Sequence, residues 1–168
     1  MIPRKIVIHC SDVEAGTLEG IDKYHREHNG WSGVGYHYVI ENGRARTTSK
    51  TIHVARDGLV RSGRDERANG AHAVGLNGSS LGVCLIGKRK FTANQIASLY
   101  TLLVQLCLRW GLNASDVIGH YETPHEQRKL PEKRKTCPNL NMEVVRKKLN
   151  LLLGFTRAQL MPNGEQCG

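Results

Sequence analysis

The chain has 168 residues, of which 39% are hydrophobic, and this length and composition predict one folded domain with a single core. The formal net charge is +9, which indicates an anionic partner (a nucleic acid, an anionic membrane surface or a carboxylate-rich polymer) or simply a solvated basic surface. No apolar run is long enough to cross a bilayer, and the N-terminal run in MIPRKIVIHC is too short for a signal peptide. We therefore expect synthesis in a cytoplasm and no membrane insertion.

The first part of the chain predicts a strand, a helix and then hairpins. KIVIHC is typical of a buried strand that carries His9 near its end. Thr17 predicts the N-cap of a helix that ends at Asn29-Gly30. VGYHYVI predicts a strand with Tyr36 and Tyr38 on one face and His37 on the other.

Two Asx-Gly pairs follow, in ENGR and in RDGL, and each predicts a hairpin turn. TIHVA and LVRSG predict the strands that flank the second turn. Residues 45–54 are expected to form an extra hairpin arm.

The second part of the chain predicts a strand, a long helix, a short strand and a last helix. SSLGVCLIG is the strand, and Thr92 and Gln95 form a capping box for the helix that Gly111 ends. The helix has an apolar stripe of Ile96, Leu99, Leu103, Leu106 and Trp110.

DVIGH predicts a short strand that ends in His120. The last helix, NMEVVRKKLNLLL, is expected to pack through Met142, Val145 and Leu149. This order of elements predicts an α/β or α+β fold with helices packed on a mixed sheet. We expect a catalytic domain over 1–154 and a loosely held C-terminal tail over 155–168.

Three distant side chains suggest a metal site. If KIVIHC and DVIGH are neighbours in one sheet, His9 and His120 can meet at its rim, and Cys137 arrives from the basic loop that follows. Two imidazoles and one thiolate, with a fourth position left to water, are typical of catalytic zinc. Spacing alone leaves alternatives open, because the chain has eight histidines, and His125 lies inside the same loop.

Glu122 is either an acceptor for an imidazole N–H or a surface residue.

The chain carries, in this order, the segments IVIHCS, GWSGVGYHYVI, RDGLVRSGRDERANGAHAVGLNGSSLGVCLIG, GHYE and KTCPN. Together they resemble the zinc-dependent N-acetylmuramoyl-L-alanine amidases of the type 2 family, which share their fold with peptidoglycan recognition proteins. The resemblance covers residues 4–150 and is strongest to small phage endolysins. It implies an amidase-like fold with a central mixed sheet.

The resemblance also implies roles for six residues. It places the zinc ligands at His9, His120 and Cys137. It places a catalytic tyrosine at Tyr36, a catalytic lysine at Lys135 and a residue lining the substrate groove at His72.

These roles imply hydrolysis of the amide between the muramic acid lactyl group and L-alanine in peptidoglycan, with one zinc ion per chain. Two departures from the family pattern stand out: residues 45–54 resemble an insertion, and the loop from His120 to Cys137 is long. The basic neighbours Lys133 and Arg134 make Lys133 an alternative to Lys135.

Two other functions compete with an endolysin that lyses a host. A peptidoglycan-binding module without catalysis is disfavoured, because the cysteine ligand Cys137 is present. A regulatory protein that binds a polymerase or nucleic acid is disfavoured, because no nucleic-acid-binding motif occurs. We expect a monomer that reaches the cell wall after another protein breaches the membrane, with any further protein partner invisible in the sequence.

Overall fold

The computed structural model describes residues 1–46 and 49–160. In these ranges the chain forms five strands and four α-helices, joined by short 3-10 turns. In chain order they are β1 (Lys5–Cys10), α1 (Leu18–Asn29), β2 (Tyr38–Arg46), β3 (Thr51–Ser62), β4 (Ser80–Leu85), α2 (Ala93–Trp110), β5 (Val117–Gly119), α3 (Pro124–Gln127) and α4 (Met142–Leu160).

The strands form one mixed sheet in the order β3-β2-β4-β1-β5. β1 pairs in parallel with β4 and β5, β2 pairs in parallel with β4, and only β3 runs antiparallel to its neighbour. β1 and β4 are almost entirely buried, as expected for parallel strands covered on both faces. The predicted mixed sheet with packed helices is confirmed.

Helices cover both faces of the sheet. On one face α2 and α4 pack against apolar side chains such as Ile6, Ile8 and Leu81. On the other face Leu18 and Ile21 of α1 pack against a smaller apolar cluster. Because side chains alternate along β1, Ile6 and Ile8 point towards α2 and α4, and His9 points to the face that α1 covers only in part.

The helix boundaries follow the predicted capping residues. The Thr17 side chain accepts from the N–H of Gly20, and Gly30 ends α1 with φ 67°. The capping box of Thr92 and Gln95 is present at α2. The buried Gln95 amide also donates to the carbonyls of Ile40 in β2 and of Ile86 directly after β4, which fixes α2 to the sheet.

The two predicted Asx-Gly hairpin turns are wrong. Asn42-Gly43 lies inside β2 and Asp57-Gly58 lies inside β3, and Asn42 pairs with Asp57 at a register shift. Both glycines have positive φ, as residues in β-bulges often do. The Asx-Gly pairs therefore indicate positive φ at the glycines correctly, but these glycines lie at bulges and not in turns. β2 and β3 form one long hairpin arm instead of two hairpins.

Other boundaries differ from the predictions. β2 begins at Tyr38, so Tyr36 precedes the strand, and TIHVA and LVRSG belong to the single strand β3. α4 continues across residue 154 to Leu160, so the proposed domain boundary falls inside a helix. Residues 161–168, including Cys167, and residues 47–48 of the hairpin arm lie outside the described residues.

Candidate active site

The candidate site lies where β1 and β5 end at the same edge of the sheet. The two strands pair in parallel with Ile8 opposite Gly119, so His9 and His120 follow at neighbouring positions. Their ring centroids are 4.5 Å apart. The predicted meeting of the two histidines at the rim of the sheet is confirmed.

Cys137 completes the cluster. Its backbone carbonyl accepts from the N–H of Tyr121 at 2.9 Å, which brings the end of the basic loop back to its start. Its Sγ lies 4.0 Å from Nδ1 of His9 and accepts from the N–H of Cys10 at 3.1 Å. One potential ligand atom from each of His9, His120 and Cys137 lies within 4.8 Å of the others.

Within residues 1–46 and 49–160 this is the one group of His, Cys, Asp and Glu side chains close enough to hold a metal ion, and His125 is not part of it. The donors suit zinc, because imidazole and thiolate are the ligands that structural and catalytic zinc sites use. The hydrogen bond with the Cys10 thiol and burial raise the pKa of Cys137, and the N–H of Cys10, which donates to Sγ, only partly opposes them. A bound metal ion would supply the positive charge that stabilises the thiolate.

The cluster lies in a cleft of about 520 Å³. All six residues singled out from the sequence line this cleft: His9, Tyr36, His72, His120, Lys135 and Cys137. Arg134 also lines it, whereas Lys133 does not. The geometry therefore favours Lys135 over Lys133 among the two candidate lysines.

Aromatic rings form the buried wall of the cleft. The ring of Tyr36 lies 5.1 Å from that of His9 and 5.6 Å from that of His25, and His25 packs against Trp31. His25 accepts from the N–H of Gly35 through Nδ1, which fixes the loop that carries Tyr36. Burial raises the pKa of Tyr36 well above its ordinary value, so its hydroxyl stays protonated and can donate.

The environment of the cleft lowers the pKa of each site histidine and so favours the neutral imidazole. Burial, reinforced by the neighbouring imidazoles and Lys135, lowers the pKa of His9. Burial and Lys135 lower that of His120 to about 4. Burial and His37 lower that of His72 to about 3. Neutral imidazoles have a lone pair for a metal ion, so the site requires no proton loss from histidine before binding.

Two carboxylates hold the segment that carries His120, Lys135 and Cys137. Glu122 accepts two hydrogen bonds from Arg146 of α4 and one from the N–H of Gly119. It therefore fixes the start of the segment and does not bond the His120 ring. The buried Glu126 accepts from the Lys129 ammonium at 2.7 Å and from the N–H of Lys135 at 3.1 Å.

Glu126 is a residue that the sequence analysis missed. Its Oε1 also lies 3.9 Å from Nε2 of His120, so it links both ends of the segment. The sequence signal was present in TPHE, since Thr123, Pro124 and Glu126 are typical of a helix start, and α3 begins there. The composition of the segment as a whole predicts only a polar, basic loop.

Comparison with known proteins decides the family. The model of the N-acetylmuramoyl-L-alanine amidase family matches residues 1–140. The chain belongs to this family.

Relatives of this amidase include phage proteins. The endolysin of Escherichia phage T7 is 35% identical over 149 residues, which cover 82% of each chain. Among solved structures, the N-acetylmuramoyl-L-alanine amidase LysC from Clostridium intestinale is similar at TM-score 0.70 and 28% identity, covering 89% of this chain and 87% of LysC. The bumblebee peptidoglycan recognition protein PGRP-SA shares the fold at TM-score 0.62 and 24% identity, covering 88% and 82% of the two chains.

The described part of the amidase has no helix that is long and apolar enough to span a membrane. The four cysteines at positions 10, 84, 107 and 137 have free thiols. Cys10 also lines the cleft, and its N–H donates to Sγ of Cys137.

Proposed function

We propose that this amidase is a zinc-dependent endolysin that cleaves peptidoglycan between N-acetylmuramic acid and L-alanine, with His9, His120 and Cys137 as the metal ligands. The observation that carries the proposal is the approach of the three ligand atoms to within 4.8 Å at the floor of the cleft. Three protein ligands leave one position open, which distinguishes a catalytic zinc site from a structural one.

The amide bond is difficult to hydrolyse because water is a poor nucleophile and the tetrahedral oxyanion is costly. When bound, zinc would lower the pKa of the attacking water to about 7 and polarise the scissile carbonyl. The protonated hydroxyl of Tyr36, beside the ring of His9, would donate a hydrogen bond to an oxygen on the reacting carbon. The ammonium of Lys135, at the rim of the cleft, would stabilise the developing negative charge.

The basic charge of the chain suits this substrate. Peptidoglycan stem peptides carry free carboxylates, and a protein with net charge +9 concentrates on such a polymer. Every residue proposed for the site comes from one chain, so the enzyme is expected to act as a monomer on the cell wall and to open it for phage release.

Metal removal tests the proposal. We expect a chelator to stop the clearing of a suspension of purified cell walls and added zinc to restore it. Product analysis should show new L-alanine N-termini and no new reducing sugars. Full activity in a preparation shown to be metal-free would overturn the metal assignment, and new reducing sugars would overturn the amidase assignment.

A ligand substitution tests the residues. Cys137→Ala should lose bound zinc and hydrolysis together, while circular dichroism shows a folded domain. Cys107→Ala is the matched control, because it removes a buried thiol of α2 that is remote from the cleft. Equal zinc content in both variants would contradict the role of Cys137.

A further inference from the structure

His72 has both ring nitrogens engaged by the protein. Its Nδ1 lies 3.1 Å from Nε2 of His9, and its Nε2 lies 3.4 Å from the carbonyl oxygen of Ser80. A substrate group could bond a ring nitrogen only by displacing one of these partners. The contacts of the His72 ring therefore indicate that it acts on His9 and not directly on a substrate.

The ring of His72 is held in a slot between two glycines. A Cβ at Gly82 would lie 2.6 Å from Cγ of the ring, and a Cβ at Gly70 would lie 2.4 Å from its Cδ2. On the backbone side, Asn77 Oδ1 accepts from the N–H of His72 at 2.8 Å and from that of Ala73 at 2.9 Å. Both the ring and its backbone are thus fixed relative to β4.

The carbonyl of Ser80, at one end of this chain of contacts, determines which ring nitrogens of His72 and His9 carry a proton. A carbonyl oxygen only accepts, so Nε2 of His72 carries the proton, and the Nδ1 of a neutral imidazole then has a lone pair. That lone pair requires a proton on Nε2 of His9. Nδ1 of His9 is left unprotonated, and it is the nitrogen that faces Sγ of Cys137 at 4.0 Å.

We propose that His72 is a positioning residue that holds His9 in the Nε2–H tautomer, with Nδ1 free for the metal. The proposal rests on the proposed zinc site, and it adds a function for His72 beyond lining the cleft. The relay from the Ser80 carbonyl through His72 to His9 orients one ligand before the metal arrives, as partners of ligating histidines commonly do.

The first test uses the unmodified protein without metal. Long-range ¹H–¹⁵N NMR distinguishes the two neutral tautomers of each histidine. We expect both His9 and His72 as Nε2–H. His37 is the internal reference, because its Nδ1 accepts from the N–H of Gly82 and its Nε2 contacts the Ala68 carbonyl. An Nδ1–H tautomer at His9 or His72 would overturn the proposal.

The second test uses a pair of variants. His72→Leu removes the acceptor for His9, and His72→Asn retains an oxygen acceptor close to the place of Nδ1. Zinc affinity is measured by competition with a chromophoric chelator. We expect the leucine variant to bind zinc about 10–100-fold more weakly and the asparagine variant to recover most of the loss.

Equal zinc affinity in His72→Leu and the unmodified protein would overturn the proposal. So would equal losses in the leucine and asparagine variants, since a mere packing role predicts no rescue by an acceptor. If the unmodified protein binds no zinc, the proposed metal site fails, and the tautomers in the metal-free protein still decide whether His72 orients His9.

Discussion

The two sides of the cleft are built in different ways. His9, Tyr36 and His72 belong to the sheet side, where buried rings contact one another and backbone groups of the strands. Lys135 and Cys137 belong to the loop side, where most neighbouring residues are exposed. The sheet side is fixed by packing, whereas the loop side is fixed by a few hydrogen bonds to carboxylates. A change on the sheet side should therefore affect folding, and a change on the loop side should affect mainly catalysis.

Lys135→Ala gives the sharpest test of the loop side. Removal of one donor that stabilises an oxyanion lowers kcat by about 10²–10³-fold, and we expect KM and the thermal midpoint to change little. Lys133→Ala is the matched control, since Lys133 does not line the cleft. A larger loss in the Lys133 variant would move the catalytic role to that residue.

Glu126→Ala should show how far one carboxylate organises the loop side. The N–H of Lys135 and the ammonium of Lys129 both lose their acceptor. We expect zinc affinity and activity to fall about 10–100-fold, with the sheet intact by circular dichroism. Glu132→Ala, an exposed carboxylate of the same segment, is the control. A large drop in global stability would contradict the separation between the two sides.

Gly82→Ala tests the sheet side. The added methyl group would meet the ring of His72, and overpacking of this kind costs about 1–3 kcal/mol of unfolding free energy. We expect a lower denaturant midpoint together with weaker zinc binding. Gly78→Ala is the control, since its Cβ would meet only Asn69 at an ordinary 3.7 Å. Unchanged stability in the Gly82 variant would mean that the slot can widen.

Glu122→Gln should have the smallest effect, and the effect should depend on pH. Burial alone would raise the pKa of Glu122, but hydrogen bonds from Arg146 and the N–H of Gly119 lower it below its ordinary 4.5. A lowered pKa in the folded state means stability that is present above pH 4.5 and lost as pH falls through the folded-state pKa.

We expect Glu122→Gln to cost about 1 kcal/mol at pH 7 and much less at pH 3, measured by urea denaturation at both values. Glu143→Gln, which removes an exposed carboxylate that forms an ion pair with Lys147, provides the control. A cost that is equal at both pH values would show that the charge of Glu122 does not contribute.

The sequence predicts the sheet side better than the loop side. Apolar runs and capping residues are local signals, so β1, β4, α1 and α2 lie where they were expected. The two strand ends that each carry a histidine suggest the pairing of β1 with β5 only as a condition for a shared site, and the structure confirms that pairing. Hydrogen bonds between residues far apart in the sequence have no such local signal. Arg146 of α4 binds Glu122, and Glu126 is the carboxylate beside the His120 ring.

The Asx-Gly pairs show a second limit of prediction from the sequence. Asn42-Gly43 and Asp57-Gly58 have the composition of tight turns, and positive φ at both glycines is confirmed. Whether such a pair forms a tight turn or a bulge depends on the groups that contact it from other segments of the chain. Asp57 accepts from Thr92 and Asn94 at the start of α2, a contact between distant segments that composition does not reveal.

The contact of Asp57 with the start of α2 separates the distal part of the hairpin arm, over 44–46 and 51–54, from the part that belongs to the main sheet. Asp57 and Gly58 anchor the arm to α2, and a Cβ at Gly58 would lie 2.9 Å from Asn94. Beyond this anchor β2 and β3 continue to pair from Arg44 to Arg46, and the Arg44 carbonyl accepts from the N–H of Gly16. Length changes or an epitope grafted between Arg46 and Thr51 should leave the hydrolytic centre undisturbed, which makes this part of the arm a suitable attachment point for a wall-targeting module.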